Sequence, residues 1–386
     1  MDFSLTAEQE DFIRAAREFA EREIAPNADA YNREERFPIE IYRKMGKAGL
    51  LGVTIPKAWG GAGLDNVTMM RTIEELGYHC LVLSAVIGLN SVMTGQQLYH
   101  FGTDAQKDKY LGPLIRGEIL LSIASTEPQG GSDVASAQTV AKRDGDSYVL
   151  NGTKKWISYG VSSDAVMVLA KTDERDGKPR FTIFIVDKGT PGMTVTLLPK
   201  MLTRHVDEVC EVVFDNCRVP ESARLGNEGS GLAIMLSSLE GNRCAFGARC
   251  AGAIRACLDE SVAYANSRVL RGAPIARHQM IQAKIADMAT NMEAAKYLVY
   301  HLAWLKDSGV ERARMESAMV KLFATDALMK ASADAVQIQG ALGTLEDSPV
   351  CRIFRDAKAH QIMEGTSEIQ TMLIAEQLLA SGARAS

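Results

Sequence analysis

Several kinds of chemistry are missing from this chain of 386 residues. Its six histidines are scattered, with none at metal-ligand spacing, so no histidine-based metal centre is expected. No Gly-x-Ser-x-Gly elbow occurs and no Gly-x-Gly-x-x-Gly follows a strand-like run, which removes two common hydrolase and dinucleotide-binding signatures. None of the seven cysteines (Cys80, Cys210, Cys217, Cys244, Cys250, Cys257 and Cys351) belongs to a CxxC pair. An odd count without a pairing pattern points to a reducing compartment. No run of 18 uninterrupted apolar residues exists, so no membrane span is expected. The start, Met1-Asp-Phe-Ser-Leu-Thr-Ala-Glu, is acidic at once and lacks the basic lead of a targeting peptide. Net charge is only −5 and the charges are interspersed, so a nucleic-acid surface is not expected. There is no internal repeat and no low-complexity tract.

What is present is a large apolar supply, 46% of residues, enough for two or three domains or one multi-layer body. Residues 1–120 read as helical. Thr6 and Gln9 form a capping box ahead of Phe12, Ile13, Ala16, Phe19 and Ala20, and breaks fall at Pro26, Pro38 and the Pro56–Gly63 stretch. Over 121–231 the period shortens. Runs rich in β-formers at Asp146–Asn151, Ala165–Ala170, Phe181–Val186, Met193–Leu198 and Cys210–Phe214 are punctuated by glycine turns, which predicts an antiparallel β-barrel. Residues 232–386 return to helix in four long patterns, 232–267, 279–307, 310–340 and 350–382, as in a four-helix bundle. The predicted fold class is α+β, mainly α.

The segment Met363-Glu364-Gly365-Thr366-Ser367-Glu368 places one acid after an apolar pair and before a glycine. Desolvation there raises a carboxyl pKa toward that of a useful base for a carbon acid. The structural alternative is a helix start, with Thr366 or Ser367 as cap. Other stretches invite ligands. Ile123-Ala-Ser-Thr126-Glu127-Pro128-Gln129-Gly130-Gly131-Ser132 combines hydroxyls with glycines that let a ligand approach, or is a surface turn. In Lys155-Trp156-Ile157-Ser158 the indole is a cofactor cover or a core aromatic. From Arg268 through Arg271-Gly272 to Gln279, guanidinium groups suit phosphate or a helix end. Gln337-Ile338-Gln339-Gly340 is a helix end with a glycine cap. Glu240-Gly241-Asn242-Arg243 sits within a helical run, where the arginine is also suited to a plain ion pair.

Taken in order from Phe3 to Leu379, these motifs resemble the acyl-CoA dehydrogenase family, in a short- or medium-chain-like branch. The resemblance implies a helical domain, a middle β-domain and a C-terminal helical bundle. It implies FAD as cofactor and desaturation of an acyl-CoA thioester to the trans-2-enoyl-CoA. Glu364 takes the α-proton, because the adjacent-helix position that carries the base in some branches is Asn242 here. FAD contacts fall on Ile123, Thr126, Ser132, Trp156, Ser158, Arg268, Gln279, Gln337, Gly340, Thr366 and Glu368, and substrate contacts on Ser132, Glu240, Arg243 and Gly365. Small residues Ser84, Ala85 and Gly88 are candidates for a deep acyl pocket.

Partners implied are electron-transferring flavoprotein and further copies of the chain, at least a dimer and usually a tetramer. The expected location is the bacterial cytoplasm, or the mitochondrial matrix for a processed chain. An acyl-CoA oxidase, a desulfinase-like enzyme, a flavin monooxygenase and a non-enzymatic binding protein on the same fold are the alternatives. Departures from the family pattern are Gln129 for a small residue, Arg271 for an aromatic one, and the His205–Glu208 loop.

Overall fold

The computed structural model describes residues 3–203 and 206–381; Arg204 and His205, part of the divergent loop, lie outside them. Before any strand come α1 (Ala7–Phe19), α2 (Ala28–Glu34), α3 (Ile39–Lys47), α4 (Asn66–His79), α5 (Leu81–Ile87), α6 (Gly95–Phe101), α7 (Asp104–Gln106) and α8 (Gly112–Ile115). Capping boxes open α1 at Thr6/Gln9 and α7 at Thr103/Gln106, each satisfying two orphan backbone donors reciprocally. The strands are β1 (Leu121–Ala124), β2 (Val140–Asp144), β3 (Ser147–Ile157), β4 (Ala165–Arg175), β5 (Lys178–Asp187), β6 (Met193–Leu197), β7 (Cys210–Pro220) and β8 (Arg224–Leu225). Then follow α9 (Gly231–Ser267), a small hairpin of β9 (Val269–Leu270) and β10 (Ala273–Pro274), α10 (Gln279–Asp307), α11 (Arg314–Gln339), α12 (Pro349–Ile362) and α13 (Ser367–Ser381).

Two compact units emerge from the contacts. One comprises the described residues of Met1–Glu34, Leu64–Gly88 and Glu240–Ser386; the other comprises Glu35–Gly63 and Leu89–Leu239.

In the helical unit α11 packs on α10, α12 and α13, and α4 packs on α1 and α10. Its core is made largely of small side chains: Cys250, Ala251, Ala253, Cys257, Ala324, Ala331 and Ala335, with Ile254 and Leu328. Small residues let helix axes approach closely. At Gly252 a Cβ would lie 2.1 Å from the Glu74 carbonyl oxygen of α4, so only glycine fits. The cysteine pair spaced seven apart is buried on this face as free thiols.

In the other unit the sheet runs β6-β7-β3-β2-β4-β5-β8, with β1 beside β4. Most pairs are antiparallel, but β1–β4 and β2–β4 are parallel, so the sheet is mixed where pure antiparallel pairing was expected. The chain makes β1 and β2 from Leu121–Ala124 and Val140–Asp144, stretches too short or too polar to signal strands in the sequence. Strands β4 and β5 are apolar on both faces. Val166, Val168, Phe184 and Val186 meet Tyr148, Leu150, Val212 and Phe214 across a strand-lined interior. Met167, Leu169, Ile183 and Ile185 face the other way, against Met93, Leu98, Leu111 and Leu114 of the helical segments. The sheet thus curls around an apolar interior, with β6 and β8 as the ends of an open hydrogen-bonded path.

Leu81–Phe101 is, among the described residues, the one helical stretch long and apolar enough to cross a membrane. Because 83% of that window is buried inside the protein, its apolar character is that of a core helix. A direct check on the close helix crossing is Gly252→Ala. Overpacking against the Glu74 carbonyl is expected to cost about 1–3 kcal/mol or more, read as a lowered thermal midpoint.

Candidate active site

The fourth C-terminal helical pattern, read as continuous over 350–382, is broken into α12 and α13. Glu364 lies at the break with φ 57°, and Gly365 follows at φ 93°. Left-handed backbone at a non-glycine residue costs about 1–3 kcal/mol and persists only where its surroundings enforce it. Here they do. From α9, Arg243 Nε donates to the Glu364 carbonyl at 3.2 Å. From α13, Gln370 Nε2 donates to the Glu364 and Gly365 carbonyls at 3.3 and 2.9 Å. From α11, Lys321 Nζ donates to the Gln361 carbonyl at 2.9 Å.

These donors satisfy carbonyls that a helix end leaves open, and two of them bring positive charge to the negative pole of α12. A hydrogen bond to a charged group contributes about 1.5–3 kcal/mol, so two such bonds outweigh the strain of one left-handed residue. Gly365 has no substitute: a Cβ would stand 2.5 Å from Gln370 Nε2 and 3.3 Å from an Arg243 guanidinium nitrogen. Thr366 caps α13, its hydroxyl accepting from the Ile369 amide at 3.4 Å, so the structural reading of that residue holds beside the chemical one.

Behind the break lies a further pair. Arg249 is 2% exposed and stacks over Phe246, with 3.5 Å from Cζ to the ring centroid. Its Nε donates to His360 Nε2 at 3.0 Å, while His360 Nδ1 donates to the Asp356 carbonyl at 2.8 Å. Those partners assign the neutral imidazole with its proton on Nδ1. Burial pushes the His360 pKa well below its ordinary value, and the Arg249 charge pushes it the same way.

Burial raises the Glu364 pKa above its ordinary 4.5. The Arg243 and Arg249 charges, a side-chain bond with Asn242 and the Lys321 charge pull against that rise without cancelling it. Lys321, fully buried, is pushed down to about 8 chiefly by burial. The arrangement is a half-buried carboxylate of raised basicity, held on a fixed bend.

The other expected site residues divide. Glu240, expected against substrate, has its carboxylate engaged by Lys306 Nζ at 3.0 Å, Arg312 Nε at 3.3 Å and the Ala313 amide at 3.1 Å, which ties α9 to the α10–α11 connection. Gly88 packs directly on α9, where a Cβ would lie 2.8 Å from Asn242 Oδ1, and Ser84 donates to the Leu81 carbonyl. Arg268, Gln279, Gln337, Gly340 and Glu368 are all exposed. Arg271 and Gly272, at φ 52° and 80°, form the two-residue turn of the β9–β10 hairpin, which accounts for the departure at Arg271 as a turn position.

In the β unit, Trp156 is 52% exposed at φ 63°, on a bulge in the β3–β7 pairing. Its neighbour Lys155 donates its amide to the Thr126 carbonyl at 2.9 Å, joining the indole strand to the loop of Thr126 and Ser132. Ile123 lies on β1 and is half-buried, Ser158 just past β3 is half-buried, and Ser132 is exposed. A flat aromatic group fits here: the bulge turns an indole face outward beside a loop where Gly130 has open space on its Cβ side. Among the described residues no cluster of histidine, cysteine, aspartate and glutamate could hold a metal. Arg249, His360, Lys321 and Gln370 were not singled out from sequence. One signal was available: Lys321 interrupts the apolar run Ala318-Met-Val-Lys-Leu-Phe-Ala, and a lone charge there needs a buried partner.

Comparison with known proteins settles the class. Residues 6–118, 122–217 and 229–379 match the acyl-CoA dehydrogenase N-terminal, middle and C-terminal domains respectively. The chain is 40% identical over 375 residues to an acyl-CoA dehydrogenase of Bacillus subtilis (strain 168), covering 97% of this chain and 99% of that protein. It is 39% identical to an acryloyl-CoA reductase (NADH) of Anaerotignum propionicum, covering 98% and 96%. The solved butyryl-CoA dehydrogenase of Megasphaera elsdenii superposes with a TM-score of 0.94 at 35% identity, covering 98% and 100%. The chain therefore belongs to the acyl-CoA dehydrogenase family of flavoprotein oxidoreductases, close to its short-chain-specific members.

The buried Glu364 has a stability signature of its own. With a folded pKa above the unfolded one, the acid form favours folding, and that contribution is lost as pH rises through the folded pKa. Glu364→Gln is expected to raise the thermal midpoint near pH 8, with the gain fading below about pH 4.5. A midpoint difference that is the same at both pH values contradicts this placement.

Proposed function

We propose that the protein oxidises an acyl-CoA thioester to the trans-2-enoyl-CoA, with FAD as cofactor and Glu364 as the general base. The observation that carries the reading is the Glu364 carboxylate itself: raised in pKa by burial and held on a bend fixed by Arg243 and Gln370. A base for a weakly acidic C–H bond gains from a raised pKa, and a fixed bend keeps it aimed while substrate enters.

In this reading Glu364 removes the α-proton as its backbone amide polarises the thioester carbonyl, a bond that strengthens as negative charge develops on oxygen. FAD, when bound, supplies the acceptor for the β-hydride. Trp156 covers a ring face, and Ile123, Thr126, Ser132 and Ser158 line the same side through side chains and loop backbone. Ser132, Arg243 and Gly365 border the acyl group. Arg268 and Gln279 hold the phosphate and adenosine end, and Gln337, Gly340, Thr366 and Glu368 contact a cofactor shared with another copy. The exposure of Gln337, Gly340 and Glu368 supports that sharing. So do Leu342 at 54%, Leu345 at 56% and Ile362 at 57% exposed, apolar side chains of the same unit that a neighbouring copy of the chain can cover. A tetramer, with electron-transferring flavoprotein as the outside acceptor, completes the proposal.

One comparison favours a second direction of the same chemistry. A relative 39% identical is an acryloyl-CoA reductase, and by microscopic reversibility a protonated Glu364 can return the α-proton to an enoyl-CoA as hydride is delivered.

The deciding experiment is anaerobic flavin bleaching by a panel of acyl-CoAs. Glu364→Gln is expected to keep its yellow FAD and lose about 10²–10⁴-fold in the bleaching rate. A rate near that of the unsubstituted protein removes Glu364 from the role of base.

A further inference from the structure

The β unit contains a deeply buried ion pair. Lys154 on β3 has no exposure and Glu127 has 3%. Lys154 Nζ lies 2.8 Å from Glu127 Oε1 and also donates to the Ser125 carbonyl at 3.0 Å. The same carboxylate accepts the Thr139 amide at 2.9 Å, the Gln138 amide at 2.7 Å and Gln129 Nε2 at 2.6 Å. Four donors thus converge on one acid, two per oxygen. Between them they tie both ends of the segment 125–139 to one strand.

A buried ion pair is weak evidence for stability, because an apolar pair of equal size often serves as well. This one does what an apolar pair cannot. Its carboxylate accepts from two backbone amides and its ammonium donates to a carbonyl of an otherwise irregular segment, groups that would remain unsatisfied in an apolar surrounding. The segment held is the one with Thr126 and Ser132, and the anchoring lysine precedes Trp156 by two residues on β3. Lys155, between them, adds its amide bond to Thr126. Gln129 also finds its explanation. It stands where a small residue is usual in the family pattern, and its side-chain amide folds back on Glu127.

We propose that Glu127 is the positioning residue of the flavin-side loop, with Lys154 as its counter-ion and Gln129 as an outer clasp. This rests on the reading of Thr126, Ser132, Trp156 and Ser158 as FAD contacts. Glu127 touches neither cofactor nor substrate in this account; it acts through the loop.

The test uses the full chain carrying FAD, with three readouts: amide exchange at Gln138 and Thr139, FAD affinity, and the flavin absorption bands. Glu127→Gln is expected to speed exchange at both amides, weaken FAD by about tenfold or more and shift the bands. The double variant Glu127→Leu with Lys154→Met removes the charges together, so no unpaired charge is left to prevent folding. It is expected to show the same losses. Gln129→Ala, at an exposed position, is expected to change the bands and weaken FAD less than Glu127→Gln does. Faster exchange with unchanged FAD affinity and unchanged bands overturns the proposal, leaving a structural pair. Unchanged exchange overturns it as well. A parent chain that takes up no FAD overturns the cofactor reading and the proposal with it, and is distinguished because the parent itself fails.

Discussion

The site depends on positive charge delivered to the end of one helix. Without Arg243 and Lys321, the carbonyls of Glu364 and Gln361 would lose these donors, and the chain would have more reason to continue as helix into α13. The two cations, joined by the Gln370 amide, make the break the favoured conformation. Everything chemical about Glu364 follows from that break. A continuous helix would carry its side chain around the helical face; the left-handed bend sets it apart from both helices.

The same cations impose an opposing electrostatic pull. Placed near a carboxylate, they favour its charged form; burial favours the neutral one. For Glu364 burial wins, and the acid ends above its ordinary range. The contrast with Glu75 in the same unit is instructive. Glu75 is the more deeply buried of the two, yet Arg17 and Arg255 donate to its carboxylate directly at 2.9 and 2.8 Å, and its pKa falls to about 2. Arg243 and Lys321 donate to backbone carbonyls, and their charges act on the Glu364 carboxylate through space. One type of residue thus becomes a fixed anion in one place and a candidate base in another, according to where its neighbours point their donors.

Much of this was legible in the sequence, and what was not has physical causes. The capping box at Thr6 and the apolar runs of β4 and β5 were readable because each depends on neighbours close in the chain. The short strands β1 and β2 were not, since their pairing is supplied by β4 and β3 and not by their own composition. The split of the last helical pattern was half legible: Thr366 and Ser367 offered a helix start, but the apolar spacing runs on through 350–382, and the donors that hold the break come from α9 and α11 and from a glutamine further along. Glu240 shows how distant partners escape a motif reading. A motif position invited a substrate contact, but its carboxylate is taken by Lys306, Arg312 and the Ala313 amide, groups more than 60 residues away in sequence.

The placement of the remaining candidates follows a rule that ties chemistry to burial. Residues proposed to move a proton or aim a reacting group, Glu364 with Arg243 and Gln370 behind it, lie in or against a core where water is scarce and positions are fixed. Residues proposed to hold a cofactor's phosphates, Arg268 and Gln279, lie at the surface, where a guanidinium keeps its charge without desolvation and can meet an anion arriving from outside. Trp156 stands between these cases, an exposed apolar ring held outward by a bulge and a left-handed backbone. Exposure of an indole at the cost of such strain is hard to explain by folding alone, since burial of the ring would relieve both. A flat partner stacked on that face removes the apolar surface from water while leaving the strand geometry as it is, which is what the proposed flavin contact at Trp156 would do.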